Sequence, residues 1–163
     1  MPSNTLVREA TRLDLDSFVP YRLSVLSNRV STAIASEYSG RLGLTIPEWR
    51  VMAVLGGTPG LSAREVAERT AMDKVQVSRA VARLLQARRI QKQADGDDRR
   101  VTRLSLSAKG RAIYDEIVPL ALHLEELFLS ILTPAERKNF DTLMTKLSRQ
   151  ARLFAGEWRT AAR

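Results

Sequence analysis

Arginine and glutamine side chains line one face of a predicted helix over residues 73–88. On a helical wheel of about 100° per residue, one side collects the apolar residues Val77, Val81, Leu84 and Leu85. The opposite side collects Val75, Gln76, Arg79, Arg83 and Gln86. Arginine and glutamine match the edges of guanine and adenine in a DNA major groove, and valine packs against a thymine methyl group. This face predicts base reading, although an ordinary solvent-exposed helix face carries the same pattern.

The flanking segments extend this candidate DNA-contacting surface. Lys74 and Ser78 border the face and suit phosphate contacts. A shorter predicted helix, residues 62–70, precedes it across the brief turn Thr70–Met72, which makes a helix-turn-helix. We expect Ser62, at the start of that shorter helix, to join the DNA contacts.

A predicted β-hairpin follows the two helices. Its strands are Ile90–Ala94 and Val101–Leu106, and the second alternates in polarity as a strand does. The loop between them carries Arg99 and Arg100, which suit the negative potential of a minor groove. Asp98 is placed to orient Arg100. The alternative is a surface hairpin with a local ion pair of little energetic value.

Positive charge is concentrated in the same region. The chain has 163 residues and a formal net charge of +8. Residues 61–111 hold 13 Lys or Arg against 6 Asp or Glu, a net of +7. A basic block in a nearly neutral chain indicates a polyanion-binding module, and a solvated basic surface is the alternative.

Several kinds of site are disfavoured by composition. The chain has no cysteine and one histidine, His123, so we expect no metal site, no thiol chemistry and no cofactor. The acidic pairs Asp97–Asp98 and Glu125–Glu126 are adjacent in sequence and diverge, so we do not expect an enzyme. The N-terminus does not resemble a signal peptide, and no apolar run approaches the roughly 20 residues that span a bilayer. We therefore expect a cytoplasmic protein with no membrane association.

Helical periodicity dominates the rest of the chain, so the predicted fold is mainly α with a small β-hairpin. A long helix is predicted from Leu13 to about Arg41, with Pro20 near its first turn or kinking it and Gly40 and Gly43 ending it. Four helix starts resemble capping boxes, in which a side-chain oxygen caps early amides and Glu or Gln reaches back. They begin at Thr45, Ser62, Asp73 and Thr133, and the predicted helices cover 46–56, 62–70, 73–88, 108–131 and 134–155.

Residues from about 42 to 155 resemble the MarR-type winged-helix regulators. The matching segments are Leu44–Trp49, Leu61–Ala67, Asp73–Lys74 with Ser78–Arg79, Asp98–Arg100, Leu104–Gly110 and Leu132–Arg137. Val75–Gln76 stand where the family often has Ser or Thr, so the base preference of the family does not carry over. Ser107 replaces the usual Thr, a smaller difference.

The resemblance implies a homodimer that binds double-stranded DNA at a palindromic operator. It implies a winged helix-turn-helix domain over 45–111 and a helical dimerisation region over 13–44 and 112–163. The first residues are polar and without a clear period, so we expect a flexible arm over 1–12. An extended apolar stripe agrees with a second copy, although the core of an intramolecular bundle would look alike. The stripe consists of Leu120, Leu124, Leu127, Leu132, Phe140, Leu143, Leu147, Ala151 and Phe154.

Many members of this family are released from DNA by small anionic aromatics or acyl thioesters. By resemblance, the effector site would be lined by Phe18, Tyr21, Tyr38 and Trp49, with Arg22 and Arg29 gripping a carboxylate or phosphate. Core aromatics and dimer salt bridges are the alternative. The predicted function is a ligand-responsive repressor with an aromatic acid or an acyl-CoA type of effector. The alternatives are an architectural or activator-type DNA-binding protein without an effector, and a helical scaffold that binds acidic partners.

Overall fold

The computed structural model describes residues 13–96, 98 and 100–161, with side chains described as far as Phe154. The predicted arm over 1–12 and the predicted wing residue Arg99 lie outside these described residues. The elements in chain order are α1 Val19–Leu42, α2 Ile46–Gly57, α3 Ala63–Thr70, α4 Lys74–Gln86, β1 Ile90–Ala94, β2 Thr102–Leu106, α5 Ala108–Leu129 and α6 Pro134–Ala161. The predicted fold class, mainly helical with one small hairpin, is confirmed.

The start of α1 differs from the prediction. The helix begins at Val19 rather than Leu13, because Pro20 has no N–H to donate to an earlier turn and fits only the first turn of a helix. Residues 15–17 form a separate turn before it. At the other end Gly43 adopts φ 55° and donates its N–H to the Ser39 carbonyl at 2.9 Å. Gly43 therefore ends the helix, and Gly40 lies inside it.

The predicted capping boxes account for most other helix starts. Thr45 with Glu48 and Ser62 with Glu65 form reciprocal boxes, and Thr133 pairs with Glu136 in the same way. At Asp73 only one half of the box is present, since its carboxylate accepts from the Gln76 N–H at 2.8 Å. These local bonds place all four boundaries within one residue of the predicted starts.

The chain divides into two compact units, Met1–Ile117 and Val118–Arg163. The first has a continuous apolar core that includes Tyr38, Leu44, Val51, Met52, Leu55, Leu61, Val66, Val77, Leu84, Ile90, Leu104 and Ile117. Tyr38 of α1 and Ile117 of α5 thus belong to the core of the unit that holds the helix-turn-helix and the hairpin. The assignment of 13–44 and 112–163 to dimerisation stays a prediction.

The hairpin is held against the helices through β2. Its strands are antiparallel, with Ile90 opposite Leu106 and Ala94 opposite Thr102. Leu104 exchanges backbone hydrogen bonds with the segment before α3, donating to the Leu61 carbonyl and accepting from the Gly60 N–H, both at 2.8 Å. This contact fixes the base of the hairpin and leaves its loop projecting away from the core.

The second unit has no buried residue between Val118 and Phe154, the last described side chain. Its exposed large apolar residues are Leu122, Leu127, Phe128, Ile131, Phe140, Leu143, Met144, Leu147, Leu153 and Phe154. None of the described helices alone is long and apolar enough to cross a membrane, and α5 with α6 meets that test only as a pair bent by 111°.

Candidate nucleic-acid interface

The α3–α4 pair forms the helix-turn-helix that the sequence predicts. Ala71 ends α3 in the left-handed region at φ 53°, and the Asp73 cap starts α4 two residues later. The core-facing side of α4 consists of Val77, Ala80 and Leu84. Val77 and Leu84 were predicted there, and the predicted Val81 and Leu85 are half-buried against the same core. Burial of this side turns the opposite side of α4 to solvent.

The outward side of α4 carries the predicted base-reading residues. The exposed side chains are Lys74, Val75, Gln76, Ser78, Arg79, Arg83 and Gln86. Val75 is 58% exposed. Within the described part of the chain, the side chains of Lys74 and Arg79 form no hydrogen bond or ion pair. Both cations are therefore available to an external anion.

Other residues of the basic block are occupied inside the protein. Arg69 donates to the Thr58 hydroxyl, Lys109 to the Ala87 carbonyl, and Arg111 to the Gly56 carbonyl while lying 5.1 Å from the Tyr114 ring centroid. The net charge of residues 61–111 thus overstates the positive charge available for a ligand. The available part is concentrated on α4 and the hairpin.

Arg83 differs from Arg79 because a carboxylate lies behind it. Glu48 is 6% exposed, and its Oε2 accepts from the Thr45 N–H at 2.9 Å. Its Oε1 lies 3.9 Å from Nη1 of Arg83. The sequence identified Glu48 only as a capping residue and gave no signal of this contact, which joins α2 to the outward side of α4. Arg83 is thereby drawn toward the protein.

The hairpin loop presents Arg100 on a fixed carboxylate, as predicted. Asp98 accepts from Nε of Arg100 at 3.0 Å and from Nη2 at 3.2 Å, and also from the Arg100 N–H at 3.0 Å. These hydrogen bonds hold the pKa of Asp98 below its ordinary value. The Arg100 side chain is 91% exposed. The pairing therefore orients the guanidinium without burying it.

A residue that sequence reasoning missed ties the hairpin to α3. Arg103 of β2 donates from Nε to Asp95 at the start of the loop and from Nη1 to Oε2 of Glu65 at 3.0 Å. Nη1 also reaches the Gly60 carbonyl at 3.4 Å. Arg103 therefore links the loop to the capping box of α3.

Ser62 has a structural role in that capping box. Its hydroxyl donates to Oε2 of Glu65 at 2.7 Å and accepts from the Glu65 N–H at 3.3 Å. The hydroxyl bond is the largest of several contributions that lower the pKa of Glu65. The expected contact between Ser62 and DNA stays a prediction.

The predicted effector residues lie in two places. Tyr21, Arg22 and Arg29 line an open groove of about 500 Å³ along the first turns of α1, together with Leu15, Asp16, Val19, Leu23, Val25 and Leu26. Phe18 is exposed beside it at the N-cap of α1. Tyr38 is instead 1% exposed in the core, where burial raises its pKa to about 12.

Tyr38 and Trp49 belong to an aromatic cluster away from that groove. The ring centroids of Tyr38 and Trp49 are 5.8 Å apart, and those of Trp49 and Tyr114 are 6.0 Å apart. Seventeen residues of helix separate Tyr21 from Tyr38, about 25 Å at the α-helical rise. One protomer therefore does not bring the six predicted effector residues together, and the effector site stays a prediction.

Comparison with known proteins gives consistent matches. The family model described as MarR family matches residues 42–101, which run from the end of α1 through α2, α3, α4 and β1 into the hairpin loop. The HTH-type transcriptional repressor Rv2887 of Mycobacterium tuberculosis is 27% identical over 131 residues, 80% of this chain and 91% of that protein.

Solved structures with similar folds include two from other bacteria. A probable transcriptional regulator from Pseudomonas aeruginosa is 30% identical with a TM-score of 0.69, over 82% of this chain and 99% of that one. Bordetella bronchiseptica BpsR is 26% identical with a TM-score of 0.73, over 84% of this chain and 97% of that one, and its DNA binding is regulated by 6-hydroxynicotinic acid.

Proposed function

The chain belongs to the MarR family of transcriptional regulators, which are not enzymes, and we propose that it represses transcription by binding a palindromic DNA operator as a homodimer. In this proposal α4 enters the major groove and the hairpin is the wing that reaches the minor groove. Gln76, Arg79 and Arg83 read base edges, while Lys74 and Ser78 contact phosphates.

The observation that carries the proposal is the outward side of α4. Arg79 stands there without an intramolecular partner among the described residues, beside the exposed Gln76 and Val75. Arg64 on α3, by contrast, is paired with Glu68. The wing adds a second exposed guanidinium, Arg100, oriented by Asp98.

The dimer is proposed from exposed apolar side chains. In α1 they include Val19, Tyr21, Leu23 and Leu26, and α5 and α6 add the larger set given above. An apolar surface of this extent is seldom left in water. A second copy of the chain would cover it, and a two-fold symmetric dimer requires a two-fold symmetric operator. A regulator of this kind must reach DNA, so we propose a cytoplasmic location.

Selection of bound duplexes from a random pool tests DNA binding directly. We expect enrichment of a palindrome whose half-sites lie about 10 base pairs apart, one turn of B-DNA. Its affinity should fall steeply with salt, because each neutralised phosphate releases counterions. Enrichment of no sequence, or an affinity that does not change with salt, would refute the proposal. Retention on an acidic protein surface instead would favour the scaffold alternative.

We also propose that an aromatic carboxylate is the effector. In the proposed dimer the groove beside Tyr21 lies at the interface, so the second copy would form its open side. In the single chain this groove has a volume within the roughly 300–1,000 Å³ of small-molecule sites, and Arg22 and Arg29 are cations suited to a carboxylate. Asp16 lines the same groove, so an anion must lie on the arginine side. BpsR, a regulator of similar fold, responds to 6-hydroxynicotinic acid, which is an aromatic acid.

Release from the selected operator tests the effector. Nicotinic, hydroxynicotinic and benzoic acids and acyl-CoA thioesters form the panel, and Arg22→Ala and Arg29→Ala should weaken the response to the active compound. Lys138→Ala, an exposed cation on α6, is the control that should respond normally. If no compound releases the wild-type protein, the effector proposal is wrong and a regulator without an effector, architectural or activating, is the better description.

A further inference from the structure

Arg89 joins α4, the proposed recognition helix, to the end of α1. It lies in the short connection between α4 and β1, and its side chain points back to the C-terminus of α1. Nη2 donates to the Leu42 carbonyl at 2.5 Å, and Nη1 to the Gly43 carbonyl at 3.3 Å. Carbonyls at a helix C-terminus lack intrahelical partners and carry partial negative charge. The planar guanidinium, with its two outer nitrogens, fits such a pair of acceptors.

The backbone of Arg89 contacts two further helices. Its N–H donates to the Leu84 carbonyl in α4 at 2.9 Å, and its carbonyl accepts from the Ser107 N–H at 3.1 Å, just before α5. A Cβ at Gly110 of α5 would lie 1.8 Å from that carbonyl oxygen, so only glycine permits this approach. One residue therefore contacts the ends of α1, α4 and α5, and the next residue begins β1 of the wing.

An unusual backbone conformation at the preceding residue accompanies the placement of Arg89. Arg88 adopts φ 54°, a left-handed conformation that is costly for a residue with a side chain. Nε of Arg89 is buried and has no hydrogen-bond partner among the described residues. The preceding residue, Arg88, is exposed, and its side chain makes no polar contact in the described part of the chain. Of two adjacent arginines, one is therefore directed into the protein and the other to solvent.

We propose that Arg89 is a positioning residue, which fixes the recognition helix and the wing relative to α1 so that both halves of the dimer fit an operator at once. The inference rests on the proposed dimeric DNA binding, in which α1 contributes to the interface. Both outer nitrogens of its guanidinium donate to carbonyls at the end of α1, so in this proposal Arg89 acts through α1 and contacts no DNA. Loss of the Arg89 side chain would change how the two halves of the dimer present their recognition helices to an operator. It would leave the DNA-contacting face of each half intact.

Binding to a whole palindrome and to a single half-site separates this role from others. Arg89→Gln should lower the affinity for the palindrome about tenfold, a typical coupling between linked sites, and leave half-site affinity unchanged. The salt dependence should also be unchanged, because no phosphate contact is lost. Arg88→Gln removes the same charge one residue away and should leave the ratio of the two affinities as in the wild type. Arg89→Lys should restore part of the ratio, since an ammonium group donates to one carbonyl.

A distance measurement tests the proposal without DNA. The chain has no cysteine, so Glu37→Cys in α1 and Gln93→Cys in β1, both exposed, can carry spin labels in an excess of unlabelled chain. We expect one narrow distance in the wild-type background and a broader distribution with Arg89→Gln. If the wild type binds no DNA, the proposed function fails while this measurement still tests Arg89.

Two results would overturn the positioning role. Equal losses for palindrome and half-site would make Arg89 a DNA contact or a general stability residue. An unchanged label distance in Arg89→Gln would show that the α1 contact does not fix the recognition helix. If Arg89→Gln fails to fold, as a thermal melt would reveal, Arg89→Lys provides the same comparison with a milder change.

Discussion

Replacing Arg79 with alanine should weaken operator binding strongly and leave the fold intact. Arg79 is exposed on the outward side of α4 and has no polar partner among the described residues. No intramolecular contact is therefore lost, and alanine suits an exposed helix position. A bidentate contact with guanine contributes about 1–3 kcal/mol of discrimination, which corresponds to about a 5- to 160-fold loss of operator affinity.

Arg83 gives an internal comparison for that magnitude. The Glu48 carboxylate lies 3.9 Å from its guanidinium, and DNA must compete with this attraction. Arg83→Ala should therefore cost less operator affinity than Arg79→Ala. It should also lower the unfolding temperature slightly, because the buried Glu48 loses a nearby positive charge.

Fluorescence anisotropy with the operator and with a scrambled duplex measures both effects. Arg79→Ala should lose affinity for the operator and little for the scrambled sequence, while its unfolding free energy stays within about 0.5 kcal/mol of the wild type. Arg64→Ala, which removes an exposed arginine already paired with Glu68 on α3, is the matched control and should bind nearly normally. Equal losses on both duplexes would assign Arg79 to the phosphate backbone, and a large fall in stability would refute its placement.

Four further substitutions test the wing, the helix contacts and the capping boxes. Arg100→Ala should impair operator binding in a gel shift with no change in melting temperature, because its side chain is 91% exposed; a large fall in melting temperature would make it structural. Gly110→Ala should destabilise the protein by about 1–3 kcal/mol through overpacking against the Arg89 carbonyl. Gly40 lies within α1 and a Cβ there would meet no atom within 4 Å, so Gly40→Ala should stabilise the protein by about 0.5–1 kcal/mol. Denaturant unfolding compares the two variants, and equal effects would contradict the close approach at Gly110. Glu65 has a folded-state pKa below 4.5, lowered first by the Ser62 hydroxyl, so its stabilising effect is present above pH 4.5 and lost as the pH falls through the lowered value. Glu65→Gln should therefore show a shallower loss of stability below pH 4.5, and identical pH profiles would contradict this.

The parts of the fold that were predictable depend on interactions between residues close in sequence. Asp73 caps an amide three residues away. The strand β2 was predicted from the alternating polarity of its own side chains, and in the structure Leu104 is its one buried residue. The two sides of α4 followed from helical periodicity, which places Val77 and Leu84 together. Arg100 and Asp98 are two residues apart, so their pairing was also visible in the sequence.

The missed residues interact with partners far along the chain. Arg103 reaches Glu65 across 38 positions, and Arg89 reaches Leu42 across 47. Neither partner is fixed until the helices pack, and composition shows these residues only as part of a basic block. Charge counting therefore located a basic region but did not separate cations used inside the fold from cations left exposed to solvent.

The predicted effector cluster illustrates a different limit. Tyr21 and Tyr38 are both aromatic residues of α1, but 17 residues of helix place them about 25 Å apart. Periodicity assigns residues to a face and does not reveal which part of that face is buried. In the structure the C-terminal half of α1 packs into the core at Tyr38, while the first turns remain exposed.

Guanine methylation protection on the selected operator tests whether a dimer reads DNA through α4. We expect two protected patches of guanine N7, a major-groove atom, centred about 10 base pairs apart and related by the symmetry of the palindrome. Arg79→Ala should remove the protected guanine in both half-sites. Arg100→Ala should leave those patches and remove only the protection of adenine N3, the minor-groove atom that the same reagent methylates, beside them. An enriched duplex with no major-groove protection, or with a single asymmetric patch, would contradict a dimer that reads DNA through α4.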